Sequence, residues 1–365
     1  MRYFDLHCDT VFEILRTGGS LWDGTTAVTL AQAAGFTRYV QCFALWIPDG
    51  EAAPFALYEK LLAAAHAAFA GCGLPLLGGA QARQVQEAFF TENRLRAPAG
   101  EAGKAENAES AGEAASAMLT ESAEPAAAAA AALASVVENA EPAAAAGVQE
   151  VGRCALLSVE GGSLLEGELS RLDRLYADGV RTLTLTWNGE NALAHGAHCP
   201  DGGLKPSGRE VIGRLNALGM VCDLSHLNRC SFWEALPLCR YPAATHACFD
   251  ALHPHCRNLT DRQAVGLSQK GGIIGLCFYP DFLGEGNPAD RLYEQIVHGL
   301  SLGLEDALAI GSDFDGAKMH PELDRLAKLP KLYDALRQRG VKAAILQKIF
   351  YENAANFYAK VLTNA

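Results

Sequence analysis

The stretch Arg2-Tyr3-Phe4-Asp5-Leu6-His7-Cys8-Asp9-Thr10 decides how the rest of the chain is read. It opens as a β-strand rich in aromatic and aliphatic residues and ends on an imidazole and a carboxylate. A doubly wound open α/β sheet usually places a glycine-rich phosphate loop after its first strand. Here His7-Cys8-Asp9-Thr10 stands in that place. Side chains two apart on a strand share a face, so His7 and Asp9 point the same way, out of the strand's carboxyl end.

Working outward, short apolar runs recur at 2–8, 39–47, 153–159, 181–187, 219–225, 241–245, 272–279 and 307–312. Helical patterns fill several of the gaps, at 55–69, 164–177, 209–218 and 289–302. Alternating strands and helices predict a parallel sheet, and eight repeats predict a (β/α)8 TIM barrel, a fold that takes roughly 250 residues. The whole chain, 1–365, reads as one such barrel domain.

The segment 97–150 stands apart. It holds 23 Ala and nine Glu against one Lys, no aromatic residue, and prolines at 125 and 142. This is too little apolar bulk for a core, so it reads as a low-complexity insertion between the second and third strands. It also carries about two thirds of the formal charge of −12. The acidity argues against nucleic acid, whose phosphates want clustered Lys and Arg.

Catalytic residues of such a barrel come from the carboxyl ends of its strands. Those ends read His7-Cys8-Asp9, Ser158-Val159-Glu160-Gly161-Gly162, Asp223-Leu224-Ser225-His226, Ala244-Thr245-His246 and Ser312-Asp313-Phe314-Asp315. Any one of these is unremarkable alone. Together they bring three imidazoles and three carboxylates to one mouth, a nitrogen and oxygen donor set that suits zinc and is large enough for two ions. Glu160 is the carboxylate expected between them. Asp313 is expected as the general base and acid, and hydrolysis of an amide follows as the reaction class.

In their order and spacing these motifs, with Leu183-Thr184-Leu185-Thr186 and Arg257-Asn258-Leu259-Thr260-Asp261, resemble the membrane dipeptidase (renal dipeptidase) family of zinc peptidases. The resemblance covers nearly everything outside 97–150. It implies two zinc ions, one on His7, Asp9 and Glu160 and the other on Glu160, His226 and His246, with a hydroxide between them that attacks the peptide bond of a free dipeptide. It implies Asp313 as the catalytic acidic residue, Arg257 as the grip on the substrate carboxylate, and Tyr279 as a lining of the same pocket. Mammalian members carry a substrate-binding His where this chain has Trp187. Asn188, His195 and His198 are therefore candidates for its task, with Asn188 assigned to substrate binding.

Two other readings stand beside this one. The first is an amidohydrolase acting on an N-acyl amino acid, lactam or cyclic amide; the second, from a different class, is a non-catalytic metal-binding scaffold. Eleven scattered Cys without a Cys-x-x-Cys pair, no apolar run near the roughly 18 residues of a membrane span, and an acidic start predict a cytoplasmic protein without a membrane partner. The resemblance implies a possible homodimer.

Overall fold

The computed structural model describes residues 1–78 and 152–363, so the segment 97–150 lies outside the described residues. Eight strands form a closed barrel in sequential order: β1 (Arg2–Cys8), β2 (Arg38–Trp46), β3 (Arg153–Glu160), β4 (Val180–Thr184), β5 (Val221–Asp223), β6 (Pro242–Ala247), β7 (Ile273–Leu276) and β8 (Leu308–Ile310). Every neighbouring pair is parallel, and β1 closes on β8 through Asp5 and Ile310. The eight expected strands and the TIM barrel are all present. Among the described residues no helix is long and apolar enough to cross a membrane.

Two apolar layers hold the barrel. The outer one lies between the strands and the surrounding helices, such as Pro54–Cys72, Pro206–Leu218 and Pro288–Ser301. The inner one gathers Phe4, Leu6, Val40, Cys42, Leu156, Val221, Ala243, Ile273 and Ala309. A helix at the end of the chain, Asn353–Thr363, closes this interior from below with Phe357, Tyr358, Val361 and Leu362. The Tyr358 hydroxyl meets the Thr182 hydroxyl of β4 at 2.7 Å.

One expected helix is shorter than its pattern. Residues 164–177 begin as a single turn, Gly162–Leu165, and the regular helix covers only Ser170–Ala177. Between them Glu166 and Gly167 take left-handed conformations at φ 46° and 81°, which breaks the run.

Two strands carry an extra residue just before they end. Along β1 the register against β2 moves from Asp5–Gln41 to Cys8–Phe43, three residues against two. In β6 the register against β7 moves from Ala244–Ile274 to Ala247–Leu276 in the same way. Such bulges re-aim side chains. Leu6 belongs to the inner core, yet the adjacent His7 also turns inward, and its ring lies 3.9 Å from that of His246.

Candidate active site

His7, Asp9, Glu160, His226, His246 and Asp313 are all buried at the carboxyl end of the barrel. The Nε2 atom of His7 lies 3.2 Å from Asp9, 3.6 Å from Glu160 and 3.8 Å from Asp313. Glu160 Oε1 lies 2.6 Å from His226 Nε2 and 3.4 Å from His246 Nε2, and those two nitrogens are 2.8 Å apart. The five expected ligands thus meet around Glu160, with Asp313 beside His7. Two overlapping triads, His7 with Glu160 and His246, and His7 with Asp9 and Asp313, have donor atoms close enough to share a cation.

Local structure fixes these side chains. Asp5 is fully buried; its Oδ1 accepts the His7 and Ser312 N–H groups, and its Oδ2 accepts the Tyr3 hydroxyl. It thereby pins the β1 bulge to the end of β8, where the Asp313 N–H bonds the His7 carbonyl at 3.1 Å. His226 and Asp313 stand at φ 67° and 63°, the left-handed region that non-glycine residues rarely occupy and that concentrates at functional sites.

Three observations test whether the residues fit metal ions. Asp9 Oδ1 is buried without a hydrogen-bond partner, a cost that a cation would remove. A Cβ on Gly316 would overlap Asp9 Oδ2 and Asp313 Oδ1, so only glycine leaves that space open. Finally, the imidazoles are bonded on their far side: His226 Nδ1 faces Asn188 Oδ1 at 2.8 Å, and His246 Nδ1 faces Thr245 Oγ1 at 2.9 Å. A ring that donates from Nδ1 presents a bare Nε2 lone pair, as a metal ligand must. The site fits.

The electrostatics follow from six titratable groups in one buried space. Burial pulls the His7 imidazole down, but Glu160, Asp9 and Asp313 push it up to about 10. Burial raises Glu160 well above the usual carboxylate range, with His7 opposing. Asp313 is raised to about 7, chiefly by burial, while His7, Arg257 and a Cys277 thiol 3.8 Å away hold it back. Burial and the positive charges of His7 and Arg257 depress His226 and His246.

Arg257 is buried, its guanidinium over the Phe282 ring at 5.1 Å and its Nε without a hydrogen-bond partner. The motif around it is partly structural. Asn258 ties the backbone of Cys248, His253 and Phe282 together, and Thr260 caps the helix Asp261–Gln269 in a reciprocal box with Gln263. Tyr279 is half-buried and donates to Asp281 at 2.6 Å.

Asn188, expected on substrate, has its side-chain oxygen on His226. The His195 ring is held by the Gly203 carbonyl at 2.9 Å. His255 Nδ1 accepts the Arg257 N–H, whereas His198 is exposed. Sequence reading missed the aromatic chain Phe12, Trp46 and Trp187, whose ring centroids are 4.9 and 5.1 Å apart beside His226. The register pairing of Trp46 with Glu160 is its source.

A closed parallel barrel with buried imidazoles and carboxylates converging at its carboxyl end is a metallohydrolase scaffold. The family model for membrane dipeptidase, peptidase family M19, matches residues 99–365, and the chain belongs to that family of metal-dependent dipeptidases. A Klebsiella pneumoniae protein described as uncharacterized, from the pqqA 5′ region, is 34% identical over 56% of this chain and 80% of its own length. A dipeptidase of Claviceps purpurea, tcpJ, is 34% identical over 58% of this chain, which spans only about half of that relative at 52%. Among solved structures, a metallo peptidase from Rhodobacter sphaeroides liganded with a phosphinate mimic of the dipeptide L-Ala-D-Ala superposes with a TM-score of 0.66 at 24% identity, over 99% of both chains. The probable dipeptidase PvdM from Pseudomonas aeruginosa gives 0.70 at 17% identity, over 100% and 96%. These two structures share the fold.

Proposed function

We propose that this chain hydrolyses the peptide bond of free dipeptides using two zinc ions, held by His7, Asp9 and Glu160 on one side and by Glu160, His226 and His246 on the other. The observation that carries this reading is the convergence of His7, His226 and His246 on Glu160, with Asp9 against His7 and the Nδ1 atoms of both later histidines bonded on the far side. Cations bound there supply polarisation of a carbonyl and acidification of water. The chain's own groups do the rest.

Asp313, raised to about 7, can take a proton and return it near neutral pH, as a general base that becomes the acid for a leaving amine must. Arg257 presents a desolvated guanidinium suited to bidentate capture of a carboxylate. A cation buried at that fixed place favours substrates with a free C-terminus next to the scissile bond. Tyr279 lines the same pocket, while Asn188 belongs to the support of His226. All eleven cysteines are free, which supports a reducing compartment such as the cytoplasm.

The test is metal content of the purified protein, followed by amino-acid release from L,L and L,D dipeptides, N-acetylated dipeptides and a tripeptide. Two zinc ions per chain and cleavage of free dipeptides alone are expected. Activity confined to acylated or cyclic amides would overturn the substrate assignment.

A further inference from the structure

Asp223, at the end of β5, is fully buried and lies outside the expected ligand set. Its carboxylate is saturated by groups from β4, β6 and the turn that follows β5. Oδ1 accepts the N–H groups of Ser225 and Thr245, each at 3.0 Å. Oδ2 accepts the Thr184 hydroxyl at 2.7 Å and the Thr245 hydroxyl at 2.8 Å. Thr245 has a single hydroxyl hydrogen, and it is committed to a carboxylate that can only accept. Towards His246 Nδ1, 2.9 Å away, Thr245 therefore offers only a lone pair. His246 must place its ring hydrogen on Nδ1, leaving Nε2 bare.

The backbone points to the same conclusion. Thr245 and His246 lie in the β6 bulge, where the register gains its extra residue, and the Asp223 bond to the Thr245 N–H holds that backbone in place. Through the Ser225 N–H the same oxygen also anchors the turn that leads into the left-handed His226.

We propose that Asp223 is a positioning residue that acts through Thr245: it sets the ring orientation and tautomer of His246 and so governs the affinity of one of the two metals, the one on His226 and His246. This rests on the reading of His246 as a metal ligand, and the experiment separates the two claims.

The decisive contrast lies between Thr245→Val and Thr184→Val. Both remove one hydroxyl from the same carboxylate oxygen, but only Thr245 also touches an imidazole. Zinc per chain and zinc affinity are measured by competition with a chromophoric chelator. Thr245→Val is expected to weaken one zinc by about 10–100-fold, the usual cost of removing a partner of a ligating imidazole, while Thr184→Val leaves both near the wild-type affinity. In a His7→Ala background, Thr245→Val weakens the remaining zinc by the same factor; in a His226→Ala background it costs nothing further.

If the wild type binds fewer than two zinc ions, or if His7→Ala and His226→Ala each leave two, the ligand assignment fails. If those variants behave as expected but Thr245→Val matches Thr184→Val, the role given to Asp223 is wrong. Asp223→Ala should reproduce Thr245→Val; should it not fold, the threonine pair still decides.

Discussion

The side-chain oxygen of Asn188 stands 2.8 Å from Nδ1 of His226, and the turn that carries Asn188 is itself tied down where Asp49 accepts the Gly189 N–H at 2.5 Å. An orienting partner of this kind contributes about 10–100-fold to metal affinity. Asn188→Ala should therefore lose metal on dialysis against a weak chelator with little change in melting temperature. A variant that keeps its metals but has a raised KM would return Asn188 to substrate binding.

Asp313→Asn should retain both metals and still bind dipeptide, while turnover falls by about 10²–10⁴-fold, the contribution usual for a positioned acid–base group. Metal analysis with steady-state kinetics checks this. Full activity would remove Asp313 from the reaction.

Metal uptake should expel a proton from His7. Its imidazole is raised to about 10 in the metal-free protein, so below that pH the ring is charged, whereas a ligating nitrogen must be neutral. The sign follows: affinity rises with pH, and calorimetric titration in buffers of different ionisation heat detects released protons. Zinc affinity that is flat between roughly pH 6 and 9 would exclude His7 Nε2 as a ligand.

Gly316→Ala places a methyl group against Asp9 Oδ2 and Asp313 Oδ1. The barrel should fold, since Gly316 sits at the mouth rather than in either apolar layer, but metal content and activity should both fall. Wild-type zinc content in this variant would mean that the ions sit elsewhere.

Tyr358→Phe removes the partner of the buried Thr182 hydroxyl without changing the apolar area that closes the barrel floor. A stability loss of about 1–3 kcal/mol is expected from the stranded hydroxyl, read by urea titration, with zinc affinity unchanged.

His7, Asp9, Glu160, His226, His246 and Asp313 were legible because they interrupt strands that are otherwise apolar, and the barrel was legible from the spacing of those strands. How these side chains reach the mouth was hidden. Strict alternation from the inward-facing Leu6 would send His7 outward, and only the extra residue in β1 reverses it. The same holds for Thr245 and His246 in β6. Bulges leave no composition signal, because they are a property of pairing between strands. The contact of Asn188 was hidden for a related reason: sequence brings it next to Trp187, while the fold brings it to His226, 38 positions away.

The helix Asn353–Thr363 gives the barrel a floor made from chain that follows all eight strands. During synthesis all eight strands are available before it, yet Phe4, Val40, Val221 and Ile273 have nothing to close over them until it arrives. Completion of the interior thus waits for this helix, and a nascent chain held short of Phe357 presents an open apolar ring to whatever is nearby. Damage to this helix would burden assembly before it burdened turnover, because the floor lies at the end of the barrel remote from the chemistry.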